Sequence, residues 1–226
     1  MTLARIGEAA RAEGLALRGA FHPSQGDAAP DGCGTLLLLG PDEPRFWPIF
    51  SGSPEYRDRT PDPMDRWSKR VIGALAQRFG GAAIFPSDGP PYPSFLNWAK
   101  ASGSAFTAPP GMLVHSEAGL LISYRGAIAL PERLALPAAP SESPCAPCAS
   151  PCVEACPVGA LGDGTPYDVP ACQAHLRSDE GAECRNHGCL VRRACPLSAT
   201  LQREPEQAAF HMASFMGNWH EAEGSS

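Results

Sequence analysis

Eight of the nine cysteines in this 226-residue chain lie between Cys145 and Cys195. They fall in two blocks that each end in Cys-Pro: Cys145, Cys148, Cys152, Cys156-Pro157, then Cys172, Cys184, Cys189, Cys195-Pro196. The first block packs four thiols into twelve residues, a density that reads as a set of metal ligands. A 4Fe-4S cube takes one thiolate on each iron, and a short loop wraps three corners more readily than the fourth. The fourth cysteine of each run is then best placed to ligate the other cluster, and the proline after it turns the chain away. On this logic Cys145, Cys148, Cys152 and Cys195 hold one cluster, and Cys172, Cys184, Cys189 and Cys156 hold the other.

The spacing departs from the tight C-x2-C-x2-C-x3-C-P form. One extra residue stands between Cys148 and Cys152, and the second block is looser, with eleven, four and five residues between its successive cysteines. Whether that second block closes a complete cluster stays open at this point. Structural zinc favours paired C-x2-C knuckles, and disulfides need an oxidising compartment. Two Cys-Pro terminators suit iron–sulfur chemistry better than either alternative.

The elements that must position these thiols come mostly before them. Residues 3–13 place Leu3, Ile6, Ala9 and Ala10 at helical spacing, with Thr2 as N-cap and Gly14 as terminator. A strand over 15–21 and an apolar strand over 35–39 follow. Gly32-Cys33-Gly34 precedes a strand where a nucleotide fingerprint would precede a helix, so it reads as a loop with a packed thiol. Residues 41–61, with four prolines and Phe46, Trp47, Phe50 and Tyr56, read as irregular but packed down.

Asp62-Pro63 reads as the cap and first turn of a helix carrying Met64, Trp67, Val71, Ile72, Leu75 and Phe79 on one face. A strand over 82–85, a turn holding Asp88 and a helix from Ser94 to about Ser102 come next. Met112–His115 and Leu120–Leu130, separated by Ser116-Glu117-Ala118-Gly119, read as a β-hairpin. Arg125 sits inside the second of these strands, where its guanidinium needs a carboxylate or a polar ligand as acceptor. Residues 131–144 are rich in Pro, Ala and Ser and read as a linker. A last helix over 205–216 sets Ala208, Ala209, Met212, Phe215 and Met216 on one face, with Phe210 and Trp219 also expected to dock.

Composition is that of a folded protein with many loops: 43% hydrophobic, 19% charged, 23 glycines and 25 prolines. The net charge of −6 and the lack of a basic cluster disfavour nucleic acid. The N-terminus shows no apolar signal region and no stretch is long enough to span a bilayer. A cytoplasmic protein is expected, and a reducing compartment keeps thiols available for metal.

Gly111-Met112-Leu113-Val114-His115, Gly119 and Ile122-Ser123-Tyr124-Arg125-Gly126-Ala127-Ile128-Ala129-Leu130-Pro131 resemble the hairpin of CblC-type cobalamin-processing proteins. Asp62-Pro63-Met64-Asp65 is similar to the start of a helix in that family, and the likeness covers about residues 60–134. The cysteine region resembles that of epoxyqueuosine reductases and reductive dehalogenases, which join a related nitroreductase-like domain to a two-cluster ferredoxin domain. Cys172, isolated after Pro166-Tyr167-Asp168-Val169, carries much of that likeness, and the Asp88 turn followed by Trp98-Ala99 and Gly103 adds to it. The acidic balance and the lack of a helical-repeat region set the tRNA substrate aside.

The resemblance implies an α+β chain, with a nitroreductase-like α/β sandwich followed by a small ferredoxin-like iron–sulfur domain. The expected boundaries are 1–134 for the cobalamin-binding domain, 135–144 for the linker, 145–200 for the dicluster domain and 201–226 for the C-terminal helix and tail. Trp67, Tyr92, Phe95, Trp98 and Tyr124 would wall a corrin, or else serve as ordinary core. His115 would approach the cofactor or its upper ligand, or else lie solvated at a hairpin end. Arg125 would pair with a cofactor amide or co-substrate carboxylate, and Asp88 would donate a proton or simply make a turn.

The function expected is reduction of cobalamin, or reductive removal of its upper ligand, with electrons from two 4Fe-4S clusters. A non-catalytic electron carrier whose N-terminal domain docks on a redox partner is the rival reading, and a zinc-stabilised interaction domain is a third. A small-molecule cofactor or substrate is the expected partner in the first case.

Overall fold

The structure is a computed structural model that describes residues 1–140 and 142–217. It is mixed α+β, with antiparallel sheets, and divides into two compact units: Met1–Phe106 with Ser123–Ser141, and Thr107–Ile122 with Glu142–Ser226.

The first unit begins with α1 (Leu3–Ala12), where the Thr2 hydroxyl accepts from the Arg5 N–H at 3.5 Å and Ile6, Ala9 and Ala10 face inward. It continues through β1 (Leu15–Phe21), β2 (Thr35–Pro41), α2 (Phe46–Ser51), α3 (Pro54–Arg57), α4 (Pro63–Arg78), β3 (Ala82–Ile84) and α5 (Phe95–Ala101). The short strands β4 (Ala105–Thr107) and β5 (Leu113–His115) pair in a two-stranded sheet as the chain passes into the second unit. β6 (Gly126–Leu130) returns to the first.

The main sheet has the order β1-β2-β6-β3, every neighbour antiparallel. β2 is buried along its whole length, and each of Leu36, Leu37, Leu38 and Leu39 contributes about 1.5–3 kcal/mol of transfer free energy. β6 sets Ala129, Ala127 and Gly126 opposite Leu36, Leu38 and Leu39, so small residues face large ones across the pair. α4 packs on β3 and β6, and at Gly126 a Cβ would come within 2.8 Å of Ile72 on that helix.

The segment expected to be irregular instead forms α2 and α3. Ser53 caps α3 by accepting from Tyr56 N–H, Pro54 suits its first turn, and the aromatics close a cluster. Phe46 stacks on Phe50 at 5.6 Å, and Trp67 from α4 meets Phe46 edge-on at 5.4 Å. Arg66 grips Asp58 with two bonds of 2.7 Å, and Arg70 pairs with Glu55, tying α4 to α3. Asp62 does not cap as expected: it has φ +54° and makes no side-chain cap bond.

The expected hairpin does not form either. His115 and Gly119 close a tight turn through reciprocal backbone bonds of 3.0 and 2.9 Å, after which residues 120–125 are not strand. Only Gly126–Leu130 is extended, and it pairs with β2 and β3 rather than β5. The reason is hydrogen-bond satisfaction: a fully buried strand needs partners on both edges, and a three-residue β5 supplies too few. Thr107–Ile122 accordingly groups with the cysteines, whereas the sequence reading put all of 1–134 in one domain.

The second unit carries α6 (Val169–Arg177), α7 (Ala182–His187), α8 (Leu190–Arg193), α9 (Pro196–Ala199) and α10 (Pro205–Met216). α10 packs on α7 and buries Gln207, Ala208, Phe210 and Ala213. That face differs from the expected one: Phe215 is exposed and stacks on Tyr167 at 6.3 Å. Trp219, also expected to dock, lies outside the described residues. Among the described residues no helix is long and apolar enough to cross a membrane.

Candidate metal centre

The first cysteine block is a succession of tight turns. Cys145 N–H donates to Ser143 Oγ at 3.3 Å, Cys148 N–H to the Cys145 carbonyl at 3.1 Å, and Ser150 N–H to Cys148 Sγ at 3.4 Å. Ser150 adopts φ +54°, an uncommon conformation for a residue with a Cβ. It stands within the Cys148–Cys152 interval, where the spacing exceeds the tight pattern by one residue. A left-handed turn there accommodates the longer interval.

Cys145, Cys148 and Cys152 share with Cys195 the lining of a cavity of about 350 Å³. Its remaining walls include Ala108, Val114, Leu120 and Leu197, and none of its lining residues bears a charged side chain. Burial raises the Cys152 thiol above its ordinary pKa, and the Cys195, Cys145 and Cys148 thiolates raise it further. Burial also raises Cys145, with Cys148 and Cys195 acting in the same direction against a bond from Ser143. These four thiols therefore share one electrostatic environment.

Two of the other four cysteines lie on helices. Cys172 lies in α6, whose cap Asp168 accepts from Ala171 N–H at 2.9 Å, and Cys184 lies in α7. The eleven residues between them fold back: Arg185 on α7 donates to the carbonyls of Leu176 at 2.6 Å and Ser178 at 3.1 Å. At the bend, a Cβ on Gly181 would overlap the His175 carbonyl. The loose spacing is thus a helix–bend–helix.

Burial raises the Cys172 thiol, a bond from the Tyr167 hydroxyl opposes this, and the Cys189 and Cys156 thiolates raise it again. Cys184 is raised first by burial and then by Cys189, Cys172 and Cys156, against a bond from the Leu190 N–H. Cys156, Cys172, Cys184 and Cys189 thus act on one another. Each quartet takes one cysteine from the other's block.

None of the nine cysteines is in a disulfide. Among the described residues no three His, Cys, Asp or Glu side chains converge as ligands of one metal ion. Ligands of a single ion crowd one centre, whereas a cubane puts each thiolate on a different iron and keeps the sulfurs further apart. Cys145, Cys148, Cys152 and Cys195 are brought together around one cavity.

Residues 107–122 complete this unit. Gly119, at φ +57°, is so close to the start of α9 that a Cβ would stand 2.6 Å from Ser198 N and 2.9 Å from Cys195 Sγ. Leu121 N–H donates to Ser198 Oγ at 3.2 Å. The carbonyls of Leu120 and Leu121 accept from Arg192 at 2.5 Å and Arg203 at 2.8 Å. Sequence reasoning missed this role, because Ala108, Val114 and Leu120 are ordinary apolar residues that only the tertiary fold recruits. Tyr167 and Arg192 were visible as residue types but carried no spacing signal.

The remaining candidates are distributed over both units. Trp67 and Trp98 are each 1% exposed; Trp67 belongs to the aromatic cluster, and Trp98 Nε1 donates to the Asp27 carbonyl at 2.6 Å. Phe95 is buried against Trp98 at 5.1 Å. Tyr124 is buried with its hydroxyl 3.4 Å from the Arg18 carbonyl, and burial pushes its pKa well up. Tyr92, by contrast, is 66% exposed. None of these five lines the cysteine cavity.

His115 is 2% exposed rather than solvated, and its Nδ1 accepts from the N–H groups of Glu117 at 3.0 Å and Ala118 at 3.2 Å. Its Nδ1 therefore organises the turn as an acceptor. Asp88 is exposed and makes a turn by accepting from Phe85 N–H at 2.9 Å, with Lys69 3.7 Å away. Arg125 lies just before β6 with Asp65 as a protein acceptor at 3.9 Å. His115 belongs to the second unit, Asp88 and Arg125 to the first.

A mixed α+β protein with a cysteine-lined second unit is therefore the class that fold and site define. No known family, curated protein or solved structure matches the chain.

Proposed function

We propose that the chain is an iron–sulfur electron-transfer protein whose second unit holds two 4Fe-4S clusters. The observation that carries this reading is the cavity that Cys145, Cys148 and Cys152 of the first block share with Cys195 of the second, with mutual electrostatic effects among Cys156, Cys172, Cys184 and Cys189 in support. That interleaving is what cubane ligation by two short runs requires, and neither zinc knuckles nor disulfides call for it. Bound clusters would supply one-electron transfer at low potential. The protein's own part is to fix the thiolates, exclude water from the first site through the apolar walls, and offer N–H donors to sulfur.

The resemblance to cobalamin-processing proteins adds a substrate, cobalamin, to be reduced or stripped of its upper ligand. In the first unit Tyr92 and Leu96, 66% and 65% exposed, are the most exposed of the large apolar groups and the ones offered to a corrin face. Trp67, Phe95, Trp98 and Tyr124 are already engaged in packing. The geometry therefore favours electron transfer as the activity, and cobalamin as the acceptor rests on the resemblance alone.

Anaerobic purification and reconstitution should give about eight irons and eight sulfides per chain. Zinc in their place, or four irons, would defeat the two-cluster reading. Cys195→Ser should damage the same cluster as Cys152→Ser, and Cys156→Ser the same cluster as Cys184→Ser. Damage following block order would defeat the interleaving. Unchanged absorbance of added cob(III)alamin under reductant, beyond a protein-free control, would remove cobalamin and leave the electron carrier.

A further inference from the structure

One wall of the cavity that holds Cys195 is fastened by hydrogen bonds from outside it. The Leu120 carbonyl accepts from Arg192 of α8 at 2.5 Å, and the Leu121 carbonyl accepts from Arg203 at 2.8 Å. The Leu121 N–H donates to Ser198 Oγ of α9 at 3.2 Å and shares its proton with the Ala118 carbonyl at 3.2 Å. Gly119 permits this close approach, since a Cβ there would stand 2.6 Å from Ser198 N and 2.9 Å from Cys195 Sγ. The Leu120 side chain lines the cavity of Cys145, Cys148, Cys152 and Cys195, as do Ala108 and Val114 earlier in the same segment. Residues 120–122 belong to no helix or strand, so these bonds stand where a sheet ladder would otherwise fix the wall.

We infer that Arg192, Arg203 and Ser198 are positioning residues for the first site: they hold Leu120 as the wall that keeps water from its cluster, and so keep the reduction potential of that cluster low. This rests on the two-cluster reading. One-electron reduction adds a negative charge to a cluster that four thiolates have already made anionic. Water stabilises the added charge better than an apolar wall does, so opening the wall favours the reduced form.

The two ways in which Arg192 can act on the cluster have opposite signs. A guanidinium acting through its charge stabilises the reduced form, and its loss lowers the potential. One acting through the wall keeps water out, and its loss raises the potential. The bonds favour the second, because two arginines and a serine from three places in the chain meet on the main chain of Leu120 and Leu121.

The test is a potentiometric titration of the anaerobically reconstituted full chain with dithionite, followed by electron paramagnetic resonance. The half of the reducible clusters that is lost in Cys152→Ser is the first site. In Arg192→Gln that half should move upward by a tenfold change in its oxidised-to-reduced ratio, about 59 mV, with the other half unmoved. Leu120→Ala, which shortens the wall and keeps the main-chain bonds, should move it in the same direction. Ser198→Ala, which leaves the Leu121 N–H its bond to Ala118, should move it by less. Amide hydrogen exchange over residues 117–122 should quicken at least tenfold in Arg192→Gln.

A downward shift in Arg192→Gln overturns the inference, because it marks a role through charge. So does equal movement of both halves, an unmoved first site or unchanged exchange. Should Arg192→Gln fail to keep its iron, the shift in Leu120→Ala decides by the same criterion. Iron and sulfide content of the wild-type chain separates the two failures. Fewer than about eight irons defeats the cluster reading itself, while eight irons with an unmoved first site defeats only the role of the wall.

Discussion

The two compact units are held together by different means. The first has a continuous apolar interior, with β2 wholly buried and Phe46, Phe50 and Trp67 closing one end. The second is made of short pieces: α7 has six residues, α8 and α9 four each, and Cys152, Cys184 and Cys195 are among its buried residues. Isolated helices shorter than about 12–15 residues are marginal in water, so these elements need tertiary support that their few apolar side chains supply only in part. Where ligands converge only in the folded state, metal-binding free energy becomes folding free energy. On the proposed iron–sulfur reading, the first unit should thus be stable by burial and the second by bound clusters.

Removing the proposed clusters breaks this contrast with the largest expected effect. Treatment with an iron chelator under anaerobic denaturant-free conditions should leave 142–217 and 107–122 unprotected in hydrogen exchange. Residues 15–21, 35–41 and 126–130 should keep their protection. Equal protection of both units in metal-free protein would mean that the second unit folds on its apolar contacts alone.

The converse substitution acts on the first unit. Trp67→Ala removes an aromatic that is 1% exposed and packed on two phenylalanines, and should cost about 3–5 kcal/mol. Chemical denaturation followed by intrinsic fluorescence of the remaining tryptophans measures it. Iron per folded chain should stay at the wild-type value.

Between these lies Gly119→Ala. A residue with a Cβ at φ +57° carries strain of roughly 1–3 kcal/mol, and here the added carbon would also meet Ser198 and Cys195. The expected result is a lower melting temperature for the second unit, with iron released from the cavity site ahead of the other. A variant that retains both sites with unchanged melting would show that the turn at 115–119 has room to relax.

How much of this was legible in the sequence follows from the range of the forces involved. α1 with its Thr2 cap, the all-buried β2 and the α4 stripe were readable, because capping and periodicity are local. The hairpin was misread, because residues 112–130 look like two apolar runs around a turn. What decides their fate is that β6 finds partners in β2 and β3, which lie far away in sequence. The two cysteine blocks were legible because short spacings and Cys-Pro ends are local features of the chain. The residues that support them were not: Leu120 lines a cavity, and its carbonyl holds Arg192, for reasons visible only once Thr107–Ile122 joins the second unit.

The smallest expected effect tests whether electrostatics matters to the first unit at all. Arg66 beside Asp58 holds that carboxyl below the usual carboxylate range, and the Thr60 N–H assists. The unfolded chain has an Asp pKa of about 3.9. A carboxyl depressed on folding adds stability that is fully present above that value and is lost as pH falls through the lower folded value. Asp58→Asn should therefore weaken the first unit slightly at pH 7, and the difference from wild type should shrink below about pH 4. Both groups are on the surface, so added salt should also reduce it. Acid and salt titrations of the variant and parent, followed at the tryptophans of the first unit, read the effect directly. A difference that grows on acidification would mean that Asp58 acts through packing of the α3–α4 junction and that the ion pair is incidental.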